Sequence, residues 1–380
     1  MRPLDGIMVL EFCQFMAGPS AGLKLADLGA RVIKIERPGK GEGGRQIAIK
    51  NLFVDGSSLV FHTINRNKES YAANLKDPKD LERVKKLIKE ADVMTHNFRP
   101  GVMERIGLDY QMAKALNPKL IYAAVSGYGT GGPWAGKPGQ DLLVQCLSGL
   151  AYLSGDESDG PTPFGLATAD IITGSHLAHG ILAALFRRSR TGKGGLVEVS
   201  LLESVVDFQF EVITTYLNDG RRLPKRARKG NAHAYLSAPY GVYKTKNGYM
   251  ALAMGSLTTI GRILQSDALM DFTDQRDWFI GRDEIMDILC GILQKRDTAH
   301  WLQLLGAKGI WVSEVYDYET LLGHEAYSIL EMDQKLKLLN GEEVHTTRCP
   351  IRINDERLFA ERPAPRIGQH TETIAREFGL

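Results

Sequence analysis

One carboxylate in this sequence stands where a ligand could reach it. Asp170 follows Gly165-Leu166-Ala167-Thr168-Ala169, a run with almost no side-chain bulk, and lies at the mouth of a long helical pattern. Two readings fit. An aspartate there can cap the helix by accepting from its free N–H groups. It can also be a nucleophile, because a carboxylate at the positive helix end stays ionised near neutral pH, as acyl transfer requires. Spacing alone favours the cap, while the small neighbours leave room for a substrate.

The other chemistry-bearing residues are less directive. The turn after the first strand-like run carries Ala17, Gly18 and Pro19, and phosphates could sit at the helix that follows. The next run ends in Glu36-Arg37, where an acid would suit a ribose, the arginine a phosphate, and a solvated pair neither. Two G-x-G-x-x-G matches, Gly39/Gly41/Gly44 and Gly127/Gly129/Gly132, lack a good helix behind them: Pro133 and Pro138 spoil the second, and Gly43-Gly44-Arg45 weakens the first. They read as glycine loops over a sheet edge. His176 and His179 share a helix face without a third ligand nearby, and Ser200 with Glu203 has capping-box spacing rather than the surroundings of a nucleophile.

These residues need a frame, and the N-terminal part supplies one. IMVLEF from 7, ARVIKIE from 30, ADVMTHNF from 91 and LIYAAVS from 120 are strand-like, with helical patterns between them. The clearest helix starts at Asp77-Pro78, with Leu81, Val84 and Ile88 on one stripe. This rhythm predicts an α/β fold with a mostly parallel sheet. A long helix from Ile171, a strand LVEVS and a helix from Ser200 to about Asn218 continue it. The basic, proline-interrupted stretch from 219 reads as a linker to a smaller α+β domain, with a hairpin turn at Asn247-Gly248 and amphipathic helices after it. The expected division is 1–218 completed by 330–380, with 219–329 as linker and small domain.

Composition sets the outer bounds. The chain has 380 residues, 43% of them hydrophobic and 24% charged, which excludes a disordered or fibrous chain. A formal charge of +2 supplies no broad basic field for nucleic acid or a membrane surface. The four cysteines, Cys13, Cys146, Cys290 and Cys349, show no C-x-x-C spacing, so reduced thiols and a cytoplasmic location are expected. The longest apolar run, around ILAALF at 181, is far below membrane-spanning length.

Taken together, PLDGIMVLEF and AGP between 3 and 19, LGARVIKIERPGKG from 28, NFRPGVMERIGL from 97, SGYGTGGP from 126, GLATADIITGSHLAHGILAAL from 165, RTGKGGLVEVSLLES from 190, GN-H at 230 and APRIGQHT from 364 resemble the family III CoA-transferases. That group includes formyl-CoA and carnitine CoA-transferases and α-methylacyl-CoA racemases. The resemblance implies a Rossmann-like large domain built from both chain ends, a small middle domain, and a homodimer of interlocked rings. It implies coenzyme A as substrate, carried on an acyl-CoA, and a small carboxylic acid as acceptor, without metal or nicotinamide.

Residue by residue, the resemblance makes Asp170 the catalytic carboxylate. It carries CoA binding onto Met16, Ala17, Arg37, Leu75, Lys76, Asn97, Phe98, Arg99 and Arg105, with Lys137 a further candidate. Gln140, Asp141, Gly230, Asn231 and His233 fall at substrate-binding positions. The racemase branch needs a histidine in a G-H-D motif, and here the motif is Gly139-Gln140-Asp141. Glutamine cannot exchange protons, so transfer is expected over racemisation or a non-catalytic CoA-binding role. The chain departs from formyl-CoA transferase in lacking its glycine-only loop, and Trp311 replaces a common proline. The basic cluster Arg221, Arg222, Lys225, Arg226, Arg228 and Lys229 suits either a dicarboxylate or a solvated linker face.

Overall fold

Six parallel strands form the centre of the larger unit, and their order decides where a ligand can bind. The computed structural model describes residues 1–380. The strands are β1 (Met8–Glu11), β2 (Arg31–Glu36), β3 (Lys68–Ala72), β4 (Val93–His96), β5 (Ile121–Ser126) and β6 (Gly195–Ser200). They lie in the order β3-β2-β1-β4-β5-β6, every neighbouring pair parallel. The order reverses between β1 and β4, and a sheet of this kind opens a crevice beyond the carboxyl ends at that point. β1 and β4 are buried along their whole length, as strands covered on both faces must be.

The helices that position the site flank this sheet. α1 (Ala17–Asp27) follows β1, and α2 (Pro78–Glu90) starts as its sequence predicts, with Asp77 accepting from the Lys79 N–H at 2.8 Å and Pro78 in the first turn. α3 (Val102–Ile106) and α4 (Tyr110–Leu116) follow β4. Leu10, Phe12, Ile33, Met94 and Tyr122 of the sheet pack with Val84, Leu87 and Ile88 of α2 in one apolar cluster. α5 (Asp141–Leu147) precedes the long α6 (Thr168–Thr191), which packs against α1, β5, β6 and the following α7 (Leu201–Phe208). By length and composition α6 could cross a membrane, a test that a buried core helix passes equally; its Thr173, Gly174, Leu177, Ala178 and Ile181 are buried. The helix expected from Ser200 to Asn218 is two, because the chain bends at Gln209 before α8 (Phe210–Asn218). Ser200 does cap: its Oγ accepts from Glu203 N at 3.1 Å and donates to Glu203 Oε2 at 2.6 Å.

The chain divides into two units. One contains residues 1–144, 167–208 and 329–380, and the other 145–166 and 209–328. In the first, the C-terminal segment returns to the β3 edge: His370 N donates to Ser70 O at 3.0 Å and Ala72 N to Thr371 Oγ1 at 2.9 Å. The second holds an antiparallel sheet of β7 (Gly241–Lys244), β8 (Tyr249–Leu252) and β9 (Val312–Glu314), with β8 central. α9 (Arg282–Leu293) and α10 (Thr298–Gly306) complete its core, where Tyr243, Met250, Leu289, Trp301 and Leu305 meet.

Candidate active site

The crevice at the β1/β4 reversal is closed on one side by a turn of main chain. After β1 the chain passes through Cys13, Gln14 and Phe15 before α1 begins, with Met16 at its N-cap. Asn97, just past β4, grips that turn twice: its Oδ1 accepts from Gln14 N at 2.8 Å and its Nδ2 donates to Gln14 O at 2.7 Å. The turn thus bridges the two strands where the sheet order reverses.

The parallel sheet gathers most of the expected CoA residues at one edge. Met16 and Ala17 follow β1, Arg37 follows β2, Leu75 and Lys76 follow β3, and Asn97, Phe98 and Arg99 follow β4. Arg105 lies in α3. Arg37, Lys76, Arg99, Arg105 and Lys137 are all exposed, whereas the Phe98 ring packs against the apolar cluster below. The acid next to Arg37 is not a solvated strand end. Glu36 is buried and takes a bidentate pair from Arg45, Nε to Oε2 at 2.8 Å and Nη2 to Oε1 at 2.6 Å, plus the Ser70 hydroxyl at 2.9 Å. Its oxygens are occupied, which removes the ribose reading. The glycines from 39 to 44 lead into a single 3₁₀ turn, Gly43–Gln46.

Asp170 is not the helix cap. α6 starts at Thr168 with Ala167 as N-cap, so Asp170 lies inside the first turn. The cap comes from outside: Asp141 Oδ1 accepts from Ala169 N at 2.7 Å and from Asp170 N at 3.3 Å. Glycines bring Asp141 there. Gly127, after β5, and Gly139 cross backbone to backbone, so close that a Cβ on Gly139 would fall 2.4 Å from the Gly127 Cα. The crossing carries Gln140 and Asp141 over the β5 end to the start of α6. A second close approach joins α6 to α1: a Cβ at Gly174 would meet Ala17 O at 2.6 Å and Ser20 Oγ at 1.9 Å. Asp170 lies one turn before Gly174, about 6 Å along the axis from that contact.

This arrangement reverses the expected electrostatics. The negative charge that enjoys the α6 dipole is that of Asp141, and Asp170 is left partly buried beside it. Burial first, and the Asp141 charge second, push the Asp170 carboxyl from the ordinary 3.8 up to about 7. The raised carboxyl is more basic than a free aspartate, and its ionised form is correspondingly the better nucleophile.

The remaining expected residues belong to the second unit. Gly230 has φ 66°, and a Cβ there would strike Val242 O at 2.3 Å. Asn231 is spent on the main chain, its Oδ1 accepting from Ala227 N at 3.0 Å. His233 Nδ1 accepts from Tyr235 N at 3.1 Å, and its Nε2 lies 3.2 Å from Glu211 Oε1. In the basic cluster, Arg226 is buried and donates to the carbonyls of Ser154, Asp159 and Gly160, while Arg228 pairs with Asp287 at 2.8 Å. Elsewhere, His176 stands 3.3 Å from Asp207 and His179 is exposed. The sequence reading missed Glu11, Lys34, Lys68 and Glu42, which are buried together beneath the Cys13–Phe15 turn. For Glu11 and Lys34 the available signal was charge inside a strand otherwise apolar; Lys68 and Glu42 carry no such signal.

Known proteins share this plan. The model for CoA-transferase family III matches residues 4–371. The chain is 32% identical to a mouse succinyl-CoA:glutarate CoA-transferase over 383 residues, covering 99% of this chain and 86% of that protein. It is also 32% identical to an acetyl-CoA:oxalate CoA-transferase of Acetobacter aceti, covering 99% and 96%. A crystal structure of a CAIB/BAIF family protein from Brucella suis superposes with a TM-score of 0.84 at 31% identity, covering 99% of both chains. With the six-stranded parallel sheet and a match over nearly the whole length, this chain belongs to family III of the CoA-transferases and is an enzyme of that type.

Proposed function

We propose that this enzyme moves coenzyme A from an acyl-CoA donor to a small dicarboxylic acid, with Asp170 as the covalent carrier. The observation that carries the reading is the placement of the Asp170 carboxyl: partly buried in the first turn of α6, flanked by small residues, and left out of the helix cap because Asp141 takes the free N–H groups. An ionised Asp170 oxygen attacks the donor thioester carbonyl; the C–S bond breaks, and CoA leaves as thiolate from a mixed anhydride. The thiolate attacks the aspartyl carbonyl, releasing the donor acid and leaving an aspartyl-CoA thioester. An acceptor carboxylate displaces the thiolate to form a second anhydride. Attack of the thiolate on the acceptor's carbonyl gives the new acyl-CoA and restores Asp170.

Support for the polyanionic donor comes from the exposed cations Arg37, Lys76, Arg99, Arg105 and Lys137. The relatives named for succinyl-CoA with glutarate, and for oxalate, support a dicarboxylate acceptor. In the same reading Gln140 and Asp141 contact the acceptor, and two copies of the chain form the interlocked dimer of the family. Exposed apolar side chains on α6 (Phe186, 67% exposed) and on β6 (Leu196, 40%) favour a partner.

The test is direct. Succinyl-CoA or acetyl-CoA is incubated with a panel of mono- and dicarboxylates, and products are read by mass. New dicarboxyl-CoA is expected, together with a CoA adduct on Asp170 that Asp170→Ala abolishes. Full transfer by Asp170→Ala would end the proposal.

A further inference from the structure

Beneath the Cys13–Phe15 turn lies a group of charges that the transfer chemistry does not use. Glu11, Lys34 and Lys68 are sealed from solvent, and Glu42 is 5% exposed. Lys34 Nζ lies 3.0 Å from Glu11 Oε1 and 3.5 Å from Glu42 Oε1, and Lys68 Nζ reaches both Glu11 oxygens at 3.0 and 2.9 Å. Two carboxylates thus balance two ammonium groups. Burial opposes the charge on Lys34, yet Glu11, Glu42 and Glu36 outweigh it and hold that ammonium above its ordinary range. A buried ion cluster of this kind is often no more stabilising than well-packed apolar residues, so its worth lies in what it fixes.

What it fixes is main chain. Lys34 Nζ donates to Cys13 O at 2.8 Å, and Glu42 Oε2 accepts from Phe15 N at 2.9 Å and from Gly44 N at 2.6 Å. Asn97 holds Gln14 between them. Three successive residues are therefore each gripped by a side chain from a different part of the fold. Phe15 sits in the left-handed region, φ 64°, a conformation that persists in a non-glycine residue only where its surroundings enforce it. Its ring lies over Gly43, where a Cβ would fall 2.7 Å from the ring edge.

We propose that Glu42 and Lys34 are positioning residues that hold the Cys13–Phe15 turn in the one shape that presents the Met16 and Ala17 main chain to the acyl-CoA. The proposal rests on the reading that Met16 and Ala17 contact coenzyme A. A turn fixed in advance costs nothing to order when the substrate arrives.

Full-length Glu42→Ala, Glu42→Gln and Gly43→Ala are compared with the wild type, with acyl-CoA and acceptor varied in turn, CoA binding followed by calorimetry, and Tm recorded. Glu42→Ala should raise the acyl-CoA KM and the CoA Kd roughly tenfold, with kcat and the acceptor KM within about twofold. Glu42→Gln, which keeps an oxygen for the Phe15 N–H, should recover most of that loss. Gly43→Ala displaces the Phe15 ring without touching a charge; should Glu42→Ala fail to fold, it must show the same split. Arg105→Ala tests the underlying reading separately. If Arg105→Ala weakens CoA binding while Glu42→Ala and Gly43→Ala do not, the positioning role is overturned and the CoA site stands. If none of the three moves KM or Kd, the CoA site as read here falls, and the positioning role with it.

Discussion

Replacing Asp141 by asparagine separates its two duties, because an asparagine keeps Oδ1 for the Ala169 and Asp170 N–H groups but loses the charge. The Asp170 carboxyl stands at about 7 against an ordinary 3.8, and Asp141 is the smaller of the two causes. Its share of a rise of roughly three pH units is under half, so Asp141→Asn should lower the Asp170 value by about one unit. The nucleophile is the ionised form, so kcat/KM rises with pH through about 7 in the wild type and is flat above. In the variant that limb moves down. At pH 6 the ionised fraction climbs about fivefold, from about a tenth to about a half, but a less basic carboxylate attacks about two- to threefold more slowly at every pH, so kcat/KM gains about twofold at pH 6 and falls about two- to threefold above pH 8. The assay is kcat/KM for acyl-CoA between pH 5 and pH 9 with the acceptor saturating. A midpoint that moves by less than about 0.3 unit, or upward, refutes the claim that Asp141 raises Asp170.

Three other outcomes are expected. Because the folded-state value of Asp170 is raised, its contribution to stability is full below about 3.8 and is lost as pH rises through about 7. Asp170→Asn should therefore stabilise the protein at pH 8 by about 1–3 kcal/mol, a few degrees in Tm, and do nothing below pH 4; equal gains at both pH values would count against this account. Gly139→Ala drives a Cβ into the Gly127 backbone and should cost about 1–3 kcal/mol and most of the activity, with calorimetry and turnover as readouts; wild-type values would show that the crossing is loose. Arg105→Ala should raise the acyl-CoA KM about tenfold with kcat nearly unchanged, and a fall in kcat alone would contradict a binding role.

What could be read from the sequence was local. The α2 start at Asp77-Pro78, the apolar strands β1, β4 and β5, the capping box at Ser200 and the hairpin turn at Asn247-Gly248 each announce themselves within a few residues. β3 did not, because KESYA places Lys68 and Glu69 in a strand that sequence logic expects to be apolar, and the Lys68 charge is balanced there by Glu11, 57 residues away. The start of α6 was misjudged for the same reason. Its cap is Asp141, which reaches it only through the Gly127–Gly139 crossing, so the aspartate nearest in sequence reads as the cap and its pKa is expected too low. Glu36 looked like a free strand-end acid because Arg45, its partner, lies beyond a glycine loop whose path the sequence does not specify.

The return of the last residues to β3 has a consequence for synthesis. Pro365 O receives Arg45 Nη2 at 3.0 Å, and the outer edge of β3 pairs with residues 368–371. A nascent chain cannot seal that edge until residues 365–371 have been made, whereas every residue of the unit spanning 145–166 and 209–328 is synthesised before them. The larger unit therefore keeps one flank of its sheet open after the smaller unit's residues are complete.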